Sequence, residues 1–189
     1  MAVLNPRLGI GLVIVGVALA ASGAPASTLT PLDEALARAF PGARIEQLAL
    51  ALSATDVKAV EQRAHARCEA RLVTAYVAWH GDTLVGTAYT DRRVVRTREA
   101  LLMTTIAPDT TVARIDVLAF FEPPDYRPSE RWLARFKGAH ANVPPIAGAS
   151  LTSRAVSECA RLALAWHALR LVPELAKRTA ASKAQEEHR

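Results

Sequence analysis

The middle of the chain, from Arg71 to Phe121, is rich in residues that favour β-strands. Turns divide it into three or four segments, LVTAYVAW, TLVGTAYT, REALLMTTI and TVARIDVLAFF. His80-Gly81-Asp82 is typical of a tight hairpin, and Pro108-Asp109 is typical of a second turn. Because short turns join neighbouring strands in antiparallel fashion, the pattern predicts an antiparallel sheet.

The last of these segments is apolar at both odd and even positions between Val112 and Phe121. A strand with one solvated face alternates between apolar and polar residues, and this one does so at few positions. We therefore expect both faces of the sheet to be largely covered.

Short helical patterns flank the strands. Pro31 and the acids after it suit the first turn of a helix that ends before Pro41-Gly42. Ser53 and Asp56 resemble a capping box at the start of a second helix. A third short helix is expected in ERWLARF, after Ser129.

A long final helix follows, with apolar residues spaced four, three, four and three positions apart at Ala155, Cys159, Leu162, Trp166 and Leu169. This spacing places them on one face, which we expect to pack on the sheet. The predicted fold is α+β: an antiparallel sheet packed by a long C-terminal helix, with short N-terminal helices. After Pro173 the chain turns polar, and residues 173–189 are predicted to be a disordered tail.

Residues 1–26 have the pattern of a secretory signal, with Arg7 before an apolar run from Leu8 to Ala21 and small residues afterwards. An uncleaved membrane anchor, extending from Val3 to Ala21, is the alternative. Residues 30–172 then make up the folded domain, which we expect in the periplasm or tethered to the membrane and facing it.

The chain carries a formal charge of +5, but its arginines are dispersed and no basic run is interleaved with aromatic residues. Nucleic acid is therefore not expected as a partner. In an oxidising compartment Cys68 and Cys159 could form a disulfide, and buried thiols are the other interpretation. His65 and Cys68 have no second ligand pair at suitable spacing, so no metal site is predicted.

Small residues and hydroxyls meet at the start of the final helix, in IAGASLTSRAV from Ile146 to Val156. Gly148 and Ala149 would let a phosphate approach the unpaired N–H groups of a helix N-terminus, where Ser150 could bond to it and Thr152 or Ser153 could cap the helix. An ordinary capped helix is the competing interpretation. A nucleophilic serine is disfavoured, because the sequence around Ser150 lacks the G-x-S-x-G turn.

Several motifs taken in order extend this interpretation: FPGA at 40–43, a Leu-Val-Gly strand at 84–86, FFEPPDY, RWLARFKG at 131–138 and IAGASLTSRAV. With them the chain resembles the FMN-binding domain family over roughly Pro31 to Leu171. That family includes the flavin-carrying periplasmic subunits of Rnf-type and sodium-pumping NADH:quinone oxidoreductases and NosR-type sensor domains.

The resemblance implies that FMN is attached through its phosphate to the residue directly after Gly-Ala, which here is Ser150. Pro144 and Ala147 stand where the family pattern has an aspartate and a hydroxyl residue. Glu122 matches a glutamate that follows the last strand in such proteins. The implied cofactor-binding residues are Gly148, Ala149, Ser150, Leu151, Thr152, Ser153 and Glu122.

The resemblance also implies a function. The protein would be an exported electron-transfer flavoprotein, a component of a redox assembly more than a stand-alone enzyme, with no catalytic residue of its own. Its expected partners are membrane redox proteins and a flavin transferase that attaches the cofactor. The alternative is a flavin-free periplasmic interaction or sensor domain of the same fold.

Overall fold

The strand-rich middle of the chain forms a five-stranded antiparallel sheet, as predicted. The structure is a computed structural model that describes residues 30–140 and 151–187. The strands follow one another in space in the order of the chain. They are β1 (Arg44–Ala51), β2 (Leu72–His80), β3 (Thr83–Val94), β4 (Glu99–Ile106) and β5 (Val112–Phe120).

The first strand has no counterpart among the predicted elements. β1 lies between the first two helices and pairs with β2 along its whole length, from Arg44 opposite Trp79 to Ala51 opposite Leu72. Leu48 and Leu50 are buried while their neighbours in sequence are exposed. This short alternation is the signal for a strand, but it spans few residues and consists largely of alanine and leucine, which also suit a helix.

Helices cover the two faces of the sheet. On one face lies α1 (Leu32–Ala39), whose Ala35 and Leu36 share a small core with Tyr76, Met103 and Leu118. On the other face lie α2 (Ala54–Ala64) and the long α4 (Leu151–Trp166), which share the main core with the sheet. The predicted coverage of both faces is confirmed.

Gly86 marks a close approach between β3 and the residue that ends α1. A Cβ atom at this position would lie 2.7 Å from Cε1 of Phe40 and 2.9 Å from the carbonyl oxygen of Ile106, and its φ is +154°. Only glycine tolerates both the backbone angle and the contact. The absence of a side chain here lets the Phe40 ring pack on the sheet.

Capping residues fix the starts of two helices. Ser53 and Asp56 form the predicted capping box of α2, in which the Ser53 hydroxyl accepts from the Asp56 N–H and the Asp56 carboxylate accepts from the Ser53 N–H. Ser129 caps α3 (Glu130–Leu133) by accepting from the N–H of Trp132. A 3₁₀ turn at Pro124–Tyr126 precedes α3, and another at Ala134–Phe136 follows it.

The predicted apolar face of α4 is confirmed, since Ala155, Cys159, Leu162 and Trp166 are buried against the sheet and Leu169 packs beside them. Beyond Trp166 the helix widens into a π-helical turn (His167–Leu171). The N–H of Val172 bonds to the carbonyl of His167, five residues back. Pro173 has no N–H to donate, and a wider turn lets the chain pass it without breaking the helix.

The residues after Pro173 form a helix, α5 (Val172–Glu187), and the prediction of a disordered tail is wrong over this range. Arg178 ties α5 to the sheet, because its guanidinium lies 2.9 Å from the carboxylate of Glu46 on β1. Composition alone predicted fraying, whereas helix propensity together with this tertiary contact favours order.

The expected signal or anchor in residues 1–26 lies outside the described residues. Within the described part of the chain, no helix combines the length and apolarity needed to span a bilayer.

Candidate functional site

The start of α4 is the part of the predicted phosphate site that the structure describes. Gly148, Ala149 and Ser150 lie outside the described residues, and the description resumes at Leu151. Leu151 is 52% exposed, whereas Thr152 next to it is buried. The accessible side of this helix end therefore lies at Leu151.

Thr152 makes a tertiary contact through its side chain. Its hydroxyl donates to the carbonyl oxygen of Tyr126, at 2.9 Å and 26 positions earlier in the chain. The hydroxyl hydrogen is committed to that carbonyl, so in this arrangement Thr152 cannot donate it to a bound phosphate. The bond fixes the first turn of α4 against the loop that follows β5.

The other residues of this turn are more open. Ser153 is partly buried, and its carbonyl accepts from the Ser157 hydroxyl at 2.8 Å. Arg154 is an exposed cation that pairs with Glu158 one turn later, at 3.1 Å. The helix dipole places partial positive charge at this first turn, and Arg154 adds an exposed cation one residue beyond Ser153.

Glu122 is buried just after β5, where its carboxylate organises the loop between β3 and β4. Its Oε1 accepts backbone N–H groups from Thr97 at 2.6 Å, Arg98 at 2.8 Å and Arg96 at 2.9 Å. The bonds from Thr97 and Arg98 lower the pKa of Glu122 below its usual value, with a smaller contribution from Arg96. Glu122 is therefore ionised at neutral pH and holds this loop beside the end of β5.

Arg96 links that loop to Tyr126. Its guanidinium carbon lies 4.2 Å from the centre of the Tyr126 ring, a cation–π contact. Tyr126 and Phe121 are both large, partly exposed aromatic side chains. We call this region the α4 entrance, defined by Arg96, Glu122, Tyr126, Leu151 and Thr152.

The α4 entrance combines features that suit an anionic ligand with an aromatic group. The helix N-terminus and the Arg96 cation favour negative charge, and the partly exposed Tyr126 ring, which the Arg96 guanidinium contacts on one face, offers its remaining exposed surface to an aromatic group. The sequence predicted Glu122, Leu151 and Thr152 as site residues but not Tyr126 and Arg96. Tyr126 lies in the FFEPPDY motif, whereas nothing in the sequence around Arg96 distinguishes it from other arginines.

Comparison with known proteins identifies no relative of the chain. A scan against protein-family models, a search of curated proteins and a search of solved structures each returned no match to the chain. The function must therefore be argued from the residues of the site.

The two cysteines do not form a disulfide in this structure. Cys68 and Cys159 are both free and buried. Burial raises the pKa of the Cys68 thiol, and it raises that of the Cys159 thiol well above its usual value. Both are consequently protonated and poorly reactive at neutral pH.

A second polar group lies at the opposite end of α4. His167 is buried, with its Nδ1 3.1 Å from the Thr87 hydroxyl and 3.4 Å from the Tyr89 hydroxyl. Burial lowers the pKa of His167 to about 4, so the ring is neutral at pH 7.

Across residues 30–140 and 151–187, no group of three or more His, Cys, Asp or Glu side chains could hold a metal ion.

Proposed function

We propose that the protein is an exported electron-transfer flavoprotein whose FMN is attached through its phosphate to Ser150. The motif order from FPGA to IAGASLTSRAV carries this proposal, together with one contact, the bond from the Thr152 hydroxyl to the Tyr126 carbonyl. That contact brings the helix start that follows Ser150 to the loop that follows β5. These are the two segments that the resemblance assigns to the flavin.

The described residues fit an esterified phosphate at Ser150. Leu151 is exposed directly after Ser150, which keeps this end of the helix accessible to a large group. The N–H groups of the first turn and the Arg96 guanidinium favour a negative charge nearby. Thr152 is a poorer acceptor for the ester, because it is buried and its hydroxyl already donates to Tyr126.

Bound FMN supplies the redox chemistry, and the protein supplies position and electrostatics. In this proposal Ser150 would hold the phosphate together with Gly148, Ala149 and Ser153, and Tyr126 and Arg96 would contribute to binding the flavin. Glu122 acts through the loop it organises. Covalent attachment suits an exported protein, since a dissociated cofactor would be diluted outside the cytoplasm. Membrane redox proteins would donate and accept the electrons.

Export of the chain together with a flavin transferase tests the proposal. We expect the purified wild type to be yellow, and its denatured mass to exceed that of the polypeptide by one FMN residue. Ser150→Ala should lose the added mass while its circular dichroism spectrum and melting temperature stay close to those of the wild type.

Thr152→Ala is the matched control, because it removes a hydroxyl from the same helix turn. It should retain the added mass. A wild-type protein that carries no flavin, either covalent or bound, would contradict the proposal and favour the flavin-free interaction or sensor domain.

A further inference from the structure

The outer edge of β5 borders a groove of about 460 Å³ that is separate from the residues of the α4 entrance. β5 is the last strand of the sheet, so one of its edges has no neighbouring strand. Residues 113–117 of this edge line the groove.

Backbone bonds cover this edge only at its two ends. At one end the N–H of Thr30 bonds to the carbonyl of Leu118, at 2.7 Å. At the other, Val112 pairs with Gly138 and Ala139, at 2.8 and 2.9 Å. Between these ends, no other backbone group within residues 30–140 and 151–187 pairs with the outer edge, although the Arg127 guanidinium lies 3.5 Å from the carbonyl oxygen of Val117. Unpaired groups on an edge strand are a template for one further strand.

Cations stand on both sides of the open edge. Arg38 of α1 and Arg114 lie on the side of the sheet that α1 covers, where both contact Asp116. Lys137, beyond the second 3₁₀ turn, and Arg127, before α3, line the groove from the other side. The acidic lining residues are Asp116 and Glu130.

Asp116, the buried acid of the groove lining, neutralises only part of this positive charge. Asp116 is held by Arg114 through two bonds, Nε to Oδ2 at 2.8 Å and Nη2 to Oδ1 at 2.7 Å. Arg38 also lies 3.7 Å from Asp116 and 3.6 Å from Glu34 of α1. The lining still carries four cationic side chains, Arg38, Arg114, Arg127 and Lys137, against the two acids Asp116 and Glu130. The groove therefore carries net positive charge along an open strand edge.

We propose that this groove binds an extended acidic peptide segment of a partner protein, which adds to β5 as a sixth strand. In an added strand, successive side chains point to opposite faces of the sheet. Acidic residues at alternate positions would meet Arg38 on one face, and those between them would meet Lys137 on the other. A small anion would use the cations but leave the open backbone groups unpaired, so the edge favours a peptide.

The test uses the full chain in neutral detergent and a fluorescent octapeptide with the repeat Glu-Glu-Thr-Thr, whose glutamates would point to both faces of an added strand. We expect saturable binding that weakens as salt is added, since exposed charges are screened. In a nuclear magnetic resonance titration, the backbone amides of residues 113–117 should shift more than those of β1, the opposite edge strand. The same peptide with N-methylated amides keeps its charge but loses its donors, and it should fail to bind.

Matched variants separate the groove from the general surface charge. Lys137→Glu should weaken binding by about three- to tenfold. Arg135→Glu makes the same change of charge two residues away, outside the groove lining, and should alter binding less than about twofold.

Four outcomes would each overturn this proposal. The first is equal binding of the N-methylated peptide or of a lysine–threonine peptide, and the second is equal weakening by the two variants. The third is the absence of saturable binding. The fourth is a concentration-dependent shift of residues 113–117 without peptide, which would identify a second copy of the chain as the occupant. None of these outcomes depends on flavin, so the proposal stands or fails independently of the function proposed above.

Discussion

The two ends of α4 differ in what surrounds them. At the start, Leu151 is exposed, and the Thr152 hydroxyl bonds to the Tyr126 carbonyl. At the other end Trp166 and His167 are buried, and the Trp166 ring lies 6.1 Å from that of Tyr89. The comparison indicates that the second end secures the helix to the sheet, whereas the side chain of Leu151 at the first end stays exposed.

The largest effect should come from removing the Trp166 side chain, which packs the end of α4 against the sheet. Trp166→Ala leaves a cavity beside Tyr89 and should lower the free energy of unfolding by about 3 to 5 kcal/mol. Leu151→Ala, at the exposed end, should change it by less than about 0.5 kcal/mol. Denaturant titration of both variants measures the difference, and equal losses would break the comparison.

The second largest effect should come from acid, which should lower the free energy of unfolding through His167. In the unfolded chain a histidine takes up its proton near pH 6.5, whereas His167 in the folded protein does so near pH 4. The unfolded state therefore binds the proton first, and stability falls as the pH falls between these values, by up to about 3 kcal/mol. Above pH 6.5 the contribution is fully present.

His167→Gln should flatten this pH dependence in unfolding curves measured between pH 7 and pH 4.5. An unchanged slope in the variant would show that another group is responsible.

The next largest effect should come from removing the Glu122 carboxylate, near the start of α4. Glu122→Ala removes the acceptor of three backbone N–H groups and should lower the melting temperature by about 3 to 8 °C. Glu122→Gln keeps an acceptor oxygen without the charge and should cost less. If the Arg96 loop is ordered chiefly by Glu122, hydrogen exchange at residues 96–98 should rise in the alanine variant, and unchanged protection there would contradict this role.

The smallest effect should follow loss of the Thr152 hydroxyl. Thr152→Val keeps the shape of the side chain but leaves the Tyr126 carbonyl without its donor. We expect a loss of about 1 kcal/mol in the free energy of unfolding. Ser53→Ala, which removes the cap of α2, provides a reference of similar size. A neutral Thr152→Val would mean that the contact does not hold the entrance.

Hydrophobic spacing and turn residues predicted most of the fold, because β2 to β5 and α4 carry long, regular patterns. β1 was missed because its alternation is short and built from residues that also suit helices. The helix after Pro173 was missed because contacts with distant residues contribute to its order, among them the salt bridge of Arg178 with Glu46, 132 positions away. Contacts of that kind leave no local signal in the sequence.

The candidate site, like the fold, was predicted only where local sequence motifs carry the signal. Glu122 and Thr152 stood out through motifs, but their partners depend on tertiary structure. The three N–H groups on Glu122 come from a loop 24 to 26 residues earlier. The carbonyl that Thr152 contacts belongs to a residue whose backbone has no sequence signature, and for this reason a helix cap was the natural expectation.

The most direct test of the central claim is to locate the flavin phosphate on the chain. Wild-type protein exported with a flavin transferase should be digested, and the peptide that spans residues 147–154 should be sequenced by mass spectrometry. We predict that the mass of FMN lies on Ser150, the residue before the exposed Leu151. FMN on Thr152 would contradict the account, because that hydroxyl is the one assigned to hold the helix.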